Sequence, residues 1–221
     1  AGFWIAVDKP LGWTSFDVVA KVRNALKRRY GTRIKIGHAG TLDPLATGML
    51  VLAVGRKTKE IESVMAGAKA YVATVKWGAV TASFDAETPE VPTGKPHPVL
   101  SDELISELRA AFTGEVMQVP PQYSAVKIDG ARAYDLARTG RVAELRPRPV
   151  QIDALEFRPL DAQHCELTVH CGKGTYIRSL AHDLGQHLGC GAYLTALRRT
   201  SVVPFAAMHT VDEVLTAIQS S

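Results

Sequence analysis

The chain has 221 residues, 46% of them apolar and 22% charged. These are ordinary globular values, in a chain long enough to bury a sizeable core as one domain with an insertion or as two small ones. No apolar run approaches the length of a membrane span and no signal-peptide pattern opens the chain, so the expectation is a soluble, cytoplasmic globular protein without a membrane partner. The net charge of +4 admits a polyanionic partner without demanding one.

In chain order, residues 3–7 read as a short apolar strand. Thr14 or Ser15 can cap a helix running to about residue 30, and Asp17 completes a capping box if Thr14 is the cap. Phe16, Val19, Val22 and Leu26 give that helix an apolar stripe, and Gly31 follows its end. A loop rich in glycine comes next, then a buried strand over residues 49–54 and a helix to about residue 65. Residues 70–77 alternate, with Tyr71, Ala73, Val75 and Trp77 on one face. A proline-rich loop spans 89–98, and residues 101–113 form an amphipathic helix on Leu104, Ile105, Leu108 and Phe112, stopped by Gly114. Strands are expected at 150–155 and 165–171. A helix follows at 176–188, with Ile177, Leu180, Ala181, Leu184 and Leu188 inward. Strands and helices mix without strict alternation, which predicts an α+β fold with a largely antiparallel sheet flanked by helices.

Two patterns suggest cofactors and fail on inspection. His164, Cys165, His170 and Cys171 lie close in sequence, but strand alternation turns the thiols to one face and the imidazoles to the other, a poor geometry for zinc. With Cys190 there are three cysteines, an odd and sparse set that fits buried structural thiols in a reducing compartment. Gly172-Lys173-Gly174-Thr175 lacks the upstream glycine that a phosphate-binding loop requires. No metal, nucleotide or other cofactor is expected.

The most informative stretch is residues 37–48, Gly-His-Ala-Gly-Thr-Leu-Asp-Pro-Leu-Ala-Thr-Gly. From Val18 to Ile36 there is no acidic residue, while Lys21, Arg23, Lys27, Arg28, Arg29, Arg33 and Lys35 all fall there. Asp43 is the next carboxylate, held before a proline and framed by Gly37, Gly40 and Gly48, so it belongs on a shaped loop beside a positive surface. On the residues alone, it is either a turn-former or a reactive group.

The whole string closely resembles the signature of the TruB family of tRNA pseudouridine synthases, as does Val54-Gly55-Arg56-Lys57-Thr58-Lys59. Further segments are similar to family motifs in the same order. They are Asp8-Lys9-Pro10-Leu11-Gly12-Trp13-Thr14-Ser15, Lys69-Ala70-Tyr71, and Pro120 to Lys127 with Gly130, Arg132, Ala133 and Tyr134. Two more are Gly174-Thr175-Tyr176-Ile177-Arg178-Ser179-Leu180 and Leu197-Arg198-Arg199-Thr200. Together they cover residues 8 to about 205.

The resemblance implies the pseudouridine synthase fold over residues 1–209, with an RNA-gripping insertion near 115–149 and a short helix in 210–221 in place of the usual C-terminal RNA-binding domain. It implies isomerisation of the T-loop uridine at position 55 of tRNA, without cofactor, by a monomer that grips the T arm. Asp43 would be the nucleophile, Arg178 its guanidinium partner and Tyr71 the platform for the flipped base. Leu197 would close the apolar pocket and His38 pack into the T loop, with Lys9, Lys59, Tyr176, Lys127 and Arg132 as further binding positions. The rival readings are a non-enzymatic tRNA-binding protein and a carboxylate-dependent hydrolase built on Asp43 and His38. Two departures stand out: Val203 occupies the place where a glycine is expected before Pro204-Phe205, and only residues 210–221 stand where bacterial members usually continue into a C-terminal RNA-binding domain, as in either a compact family member or a shortened chain.

Overall fold

A computed structural model of the chain describes residues 2–124, 127, 128, 131–133, 137, 139 and 144–220. Along the chain these form β1 (Gly2–Lys9), α1 (Ser15–Tyr30), β2 (Ile36–His38), β3 (Ala46–Gly55), a 3-10 helix (Arg56–Glu60), α2 (Ile61–Met65), β4 (Lys69–Trp77), β5 (Ala79–Val80) and β6 (Val91–Pro92). They continue with α3 (Asp102–Phe112), β7 (Gly114–Gln118), β8 (Lys127–Ile128), β9 (Ala131–Arg132), β10 (Arg148–Pro159), β11 (His164–Cys171), α4 (Ile177–His187), β12 (Ala192–Val202), β13 (His209–Thr210) and α5 (Val211–Ser220). The fold is mixed α/β with a large mixed sheet, in which β3 pairs antiparallel with β1 and β2, and β10 with β7 and β11, while β13 and β12 run parallel to β1 and β3. Two compact units divide the chain: Ala1–Val72 with Leu197–Ser221, and Ala73–Ala196.

In the first unit β3 is the central strand. It pairs with the whole length of β1, from Gly2↔Gly55 to Lys9↔Gly48. Its other edge takes β2 near residues 52–54 and Leu197–Arg199 of β12 at Ala46–Gly48. The run Met49-Leu50-Val51-Leu52-Ala53-Val54 is buried throughout because both faces of β3 are covered. Ala46, Leu50, Leu52 and Val54 join Val18, Val19, Val22 and Leu26 of α1 and Val211, Val214 and Ile218 of α5 in one core. Met49 and Val51 face a second core with Val64, Val202, Trp4 and Phe205. A strand buried on both faces loses alternation and reads as a continuous apolar run.

The first helix starts as its sequence predicts. Thr14 accepts from the Asp17 amide while the Asp17 carboxylate accepts from the Thr14 amide, and Gly31 closes the other end in the left-handed region at φ 67°. The expected stripe needs one correction. Phe16 is 61% exposed and Val18 is fully buried in its place; the Arg23 guanidinium lies 5.6 Å from the Phe16 ring centroid, giving that ring a cationic neighbour at the surface.

Within the second unit β10 pairs with β7 on one side and β11 on the other, both antiparallel, with a register shift between Ile152 and Ala154. Alternate residues of β11 are buried, Cys165, Leu167, Val169 and Cys171 among them. Ser101 caps α3 through the Leu104 amide, and Ile105, Leu108 and Phe112 face inward. Leu104 and Leu188, expected inward, are only partly covered. Among the described residues no helix is long and apolar enough to cross a membrane.

Candidate active site

Asp43 sits half-buried on the loop between β2 and β3, and that loop is fixed from several sides inside the first unit. The Ser15 hydroxyl donates to the Leu42 carbonyl at 3.0 Å and accepts from the Leu42 amide at 2.8 Å. Behind Asp43, its own carbonyl accepts from the Ala46 amide at 3.0 Å, and the Pro44 carbonyl accepts from the Gly12 amide at 2.8 Å. The 8–15 segment and the 37–48 segment, separated in sequence, are therefore stitched together at the carboxylate.

Lys9 supplies the third tie. Its side chain is fully buried, and its ammonium donates to the carbonyls of Pro10 (3.0 Å), Trp13 (2.5 Å) and Pro44 (3.4 Å). Burial pushes the Lys9 pKa down to about 8, while the negative charges of Asp43 and Asp17 oppose that shift. The charge of Lys9 is thus felt at Asp43, but its donors are spent on the protein's own backbone. Of the two roles open to Lys9, structure or phosphate contact, a buried amine bonded to three carbonyls favours the first: it holds the loop.

Two glycines of the loop, Gly40 and Gly48, lie against Arg199. This residue is 2% exposed, and its guanidinium and Nε donate to the Gly40 carbonyl at 3.1 Å and the Met49 carbonyl at 2.7 Å. Gly48 has φ +100° and presses on the Arg199 backbone, where a Cβ would come within 2.1 Å of the carbonyl oxygen. Only glycine fits such a close approach at such a dihedral. Leu197, Arg198 and Arg199 pair in parallel with Ala46, Thr47 and Gly48, so Leu197 lies beside the strand that leaves the aspartate loop. Arg198 is clamped by the Asp8 carboxylate through two bonds of 3.0 and 2.8 Å.

His38 lies on β2 with its Nδ1 buried and unbonded among the described residues. Burial, with the Arg199 charge adding to it, holds its pKa below the usual range and disfavours the charged imidazole. Tyr71 is buried on β4. Lys59 is exposed on the 3-10 helix. Near the other end of the unit Val203 is joined to Pro204 by a cis peptide bond; its amide donates to Ala68, and Gly67 packs against its carbonyl.

In the second unit Arg178 is the first-turn residue of α4 and is 3% exposed. Its guanidinium donates to the Ser83 carbonyl at 3.0 Å and the Tyr123 carbonyl at 2.8 Å, and its Nε lies 3.8 Å from the Asp85 carboxylate. Asp85 is itself held by the Ser83 hydroxyl at 2.6 Å and the Glu87 amide at 2.9 Å. A buried guanidinium needs such compensation, because an uncompensated charge is costly in a dry site. Tyr176 precedes α4, its amide and carbonyl both bonded to the Gln118 side chain, with the Arg148 guanidinium 5.2 Å from its ring centroid. Lys127 and Arg132 face each other across the β8–β9 pair, but their side chains lie outside the described residues, as do Ala125, Val126, Gly130, Tyr134, Arg138 and Arg141.

Sequence reasoning passed over Ser15, Ser83, Asp85 and Arg199 as individual site residues. The available signal for two of them was the hydroxyl-rich string Thr81-Ala82-Ser83-Phe84-Asp85, a composition that favours side-chain-to-backbone turns directly after a strand.

The family model described as TruB family pseudouridylate synthase (N terminal domain) matches residues 27–177, and the one described as tRNA pseudouridylate synthase B C-terminal domain matches residues 178–221. A Bacteroides fragilis protein described as tRNA pseudouridine synthase B is 47% identical over 196 residues, 88% of this chain and 84% of that protein. One from Paracoccus denitrificans with the same description is 50% identical over 207 residues, 92% of this chain and 66% of the other. Among solved structures, a chain in the crystal structure of a Cbf5-Nop10-Gar1 complex aligns with TM-score 0.71 and 30% identity, over 96% of this chain and 53% of that one; the present chain spans about half its length. Fold and aspartate loop together are those of a pseudouridylate synthase. The chain belongs to the TruB family.

Proposed function

We propose that the chain converts the uridine at position 55 in the T loop of tRNA to pseudouridine, with the Asp43 carboxylate as nucleophile and without a cofactor. The observation that carries this reading is the aspartate loop. The family match spans it, and Ser15, Lys9, Gly12 and Arg199 all bond to its backbone or flanks. A nucleophile must be held to a fraction of an ångström for its approach to count, and a loop tied on both sides provides that.

In the reaction the N1–C1′ bond of the nucleoside breaks, the uracil turns, and a C5–C1′ bond forms. The hydrogen at C5 is lost and N1 takes up a proton, so atoms and electrons balance with no redox partner. Asp43 attacks as an ionised carboxylate, dividing one difficult step into two. Arg178 is assigned the planar cation that favours that ionised form. Tyr71 is assigned the platform for the extruded base, where stacking recovers roughly 1–3 kcal/mol of the cost of flipping. Leu197 bounds the apolar side, His38 packs on the RNA, and Tyr176, Lys59, Lys127 and Arg132 contact the T arm.

The basic run at the end of α1, with Lys27, Arg28 and Arg29 exposed, supports phosphate contacts, whose affinity falls with salt. The working form is a monomer acting in the cytoplasm on free tRNA. The test is release of label from the C5 hydrogen of uridine 55 in a T-arm stem-loop. Stoichiometric release supports the reading; binding without release would reduce the chain to an RNA-binding protein.

A further inference from the structure

Phe84 and His182 have no part in the roles assigned above, yet they flank the anchors of Arg178. Phe84 is the non-glycine residue with positive φ among the described residues, at 65°. Its neighbour on one side, Ser83, accepts from the Arg178 guanidinium through its carbonyl; its neighbour on the other side, Asp85, faces Arg178 with its carboxylate. A residue in the left-handed region turns the chain sharply, so the conformation of this single residue sets where both anchors point.

Three contacts hold Phe84 in that conformation. Its amide donates to the Thr81 carbonyl at 3.3 Å, and its carbonyl accepts from the Leu194 amide at 3.0 Å. Its ring lies face-on against His182, with centroids 3.9 Å apart and planes inclined by 12°. His182 follows Arg178 by four residues on α4, so one face of the helix presents both the guanidinium and the imidazole to the same turn. The Nδ1 of His182 is buried without a hydrogen bond among the described residues, and burial holds its pKa below the usual range. Burial thus disfavours the charged imidazole, and the contact seen at this ring is its face against Phe84.

We infer that the Phe84–His182 stack is a positioning device for Arg178: helix α4 carries both the guanidinium and the ring that locks the turn holding it. This rests on the role proposed for Arg178 and adds two positioning residues to it. Neither touches substrate.

The test compares single-turnover conversion of a labelled T-arm stem-loop with its dissociation constant. His182→Ala is expected to slow turnover about tenfold while RNA affinity stays within about twofold, as loss of precise placement does. His182→Phe keeps a stackable ring and is expected to recover most of the rate. Phe84→Gly keeps the positive φ without strain, removes the ring alone, and is expected to match His182→Ala. In an Arg178→Lys background, His182→Ala is expected to cost less than about twofold, because its effect passes through the guanidinium. The inference is overturned if His182→Ala turns over at the parent rate, if His182→Phe is no better than alanine, or if the full penalty persists on Arg178→Lys. An inactive parent chain would overturn the functional reading and this one with it; an active parent with a silent stack overturns the stack alone.

Discussion

Ser15 and Leu42 exchange two hydrogen bonds through one hydroxyl, 27 positions apart in sequence. Both groups are buried, and Asp43 is the next residue. Ser15→Ala removes the donor and the acceptor together and leaves the Leu42 amide and carbonyl unpaired, a loss of about 1–3 kcal/mol. Denaturant unfolding will register that loss, and under the role proposed for Asp43 turnover is expected to fall by more than RNA affinity does, because binding is spread over many contacts.

Lys9 makes stability depend on pH in the alkaline range. Its pKa falls from 10.5 in the unfolded chain to about 8 in the fold, so between those values the unfolded state binds more protons. Stability attributable to this group therefore rises with pH across that window, and the penalty for burying the ammonium is complete below it. Comparing the parent with Lys9→Met by denaturant unfolding near pH 7 and again near pH 10 should show the parent gaining on the variant at the higher pH. Equal differences at both pH values would mean that the amine is not desolvated.

Asp183 behaves in the opposite sense. Burial raises its pKa from 3.8 to about 6, so between those values the folded state holds the extra proton and stability falls as pH rises. Above that window the fold carries a poorly solvated carboxylate. Asp183→Asn should raise the melting temperature at neutral pH, and the gain should vanish near pH 4.

Glycine is required at one loop position and merely convenient at another. Gly48 combines φ +100° with a backbone contact that leaves no room for a Cβ, whereas Gly174 has φ +77° with nothing within 4 Å. Gly48→Ala is predicted to cost more than about 3 kcal/mol and Gly174→Ala about 1 kcal/mol, measured by chemical denaturation.

How far the sequence foretold these features follows from where each signal resides. The capping box of α1 and the alternation of β4 are local patterns, and both are present as expected. The aspartate loop was legible as a motif, but the packing of Gly40 and Gly48 against Arg199 was not, because Arg199 reaches Gly40 and Met49 from about 150 positions away. The strand β12 went unread because a buried arginine interrupts its alternation. Likewise the apolar stripe of α1 suggested Phe16, while packing chose Val18. The anchors of Arg178 were hidden for the same reason: Ser83 lies 95 positions from it and Tyr123 lies 55, and no local pattern encodes such a meeting.

The Asp43 carboxylate is the proposed nucleophile, and replacing one of its oxygens removes that chemistry while sparing the loop. Asp43→Asn preserves size and backbone preference, so the stem-loop should bind within about tenfold of the parent. Release of the C5 hydrogen from the target uridine should fall to the background without enzyme. Turnover by Asp43→Asn at the parent rate would exclude Asp43 as the nucleophile.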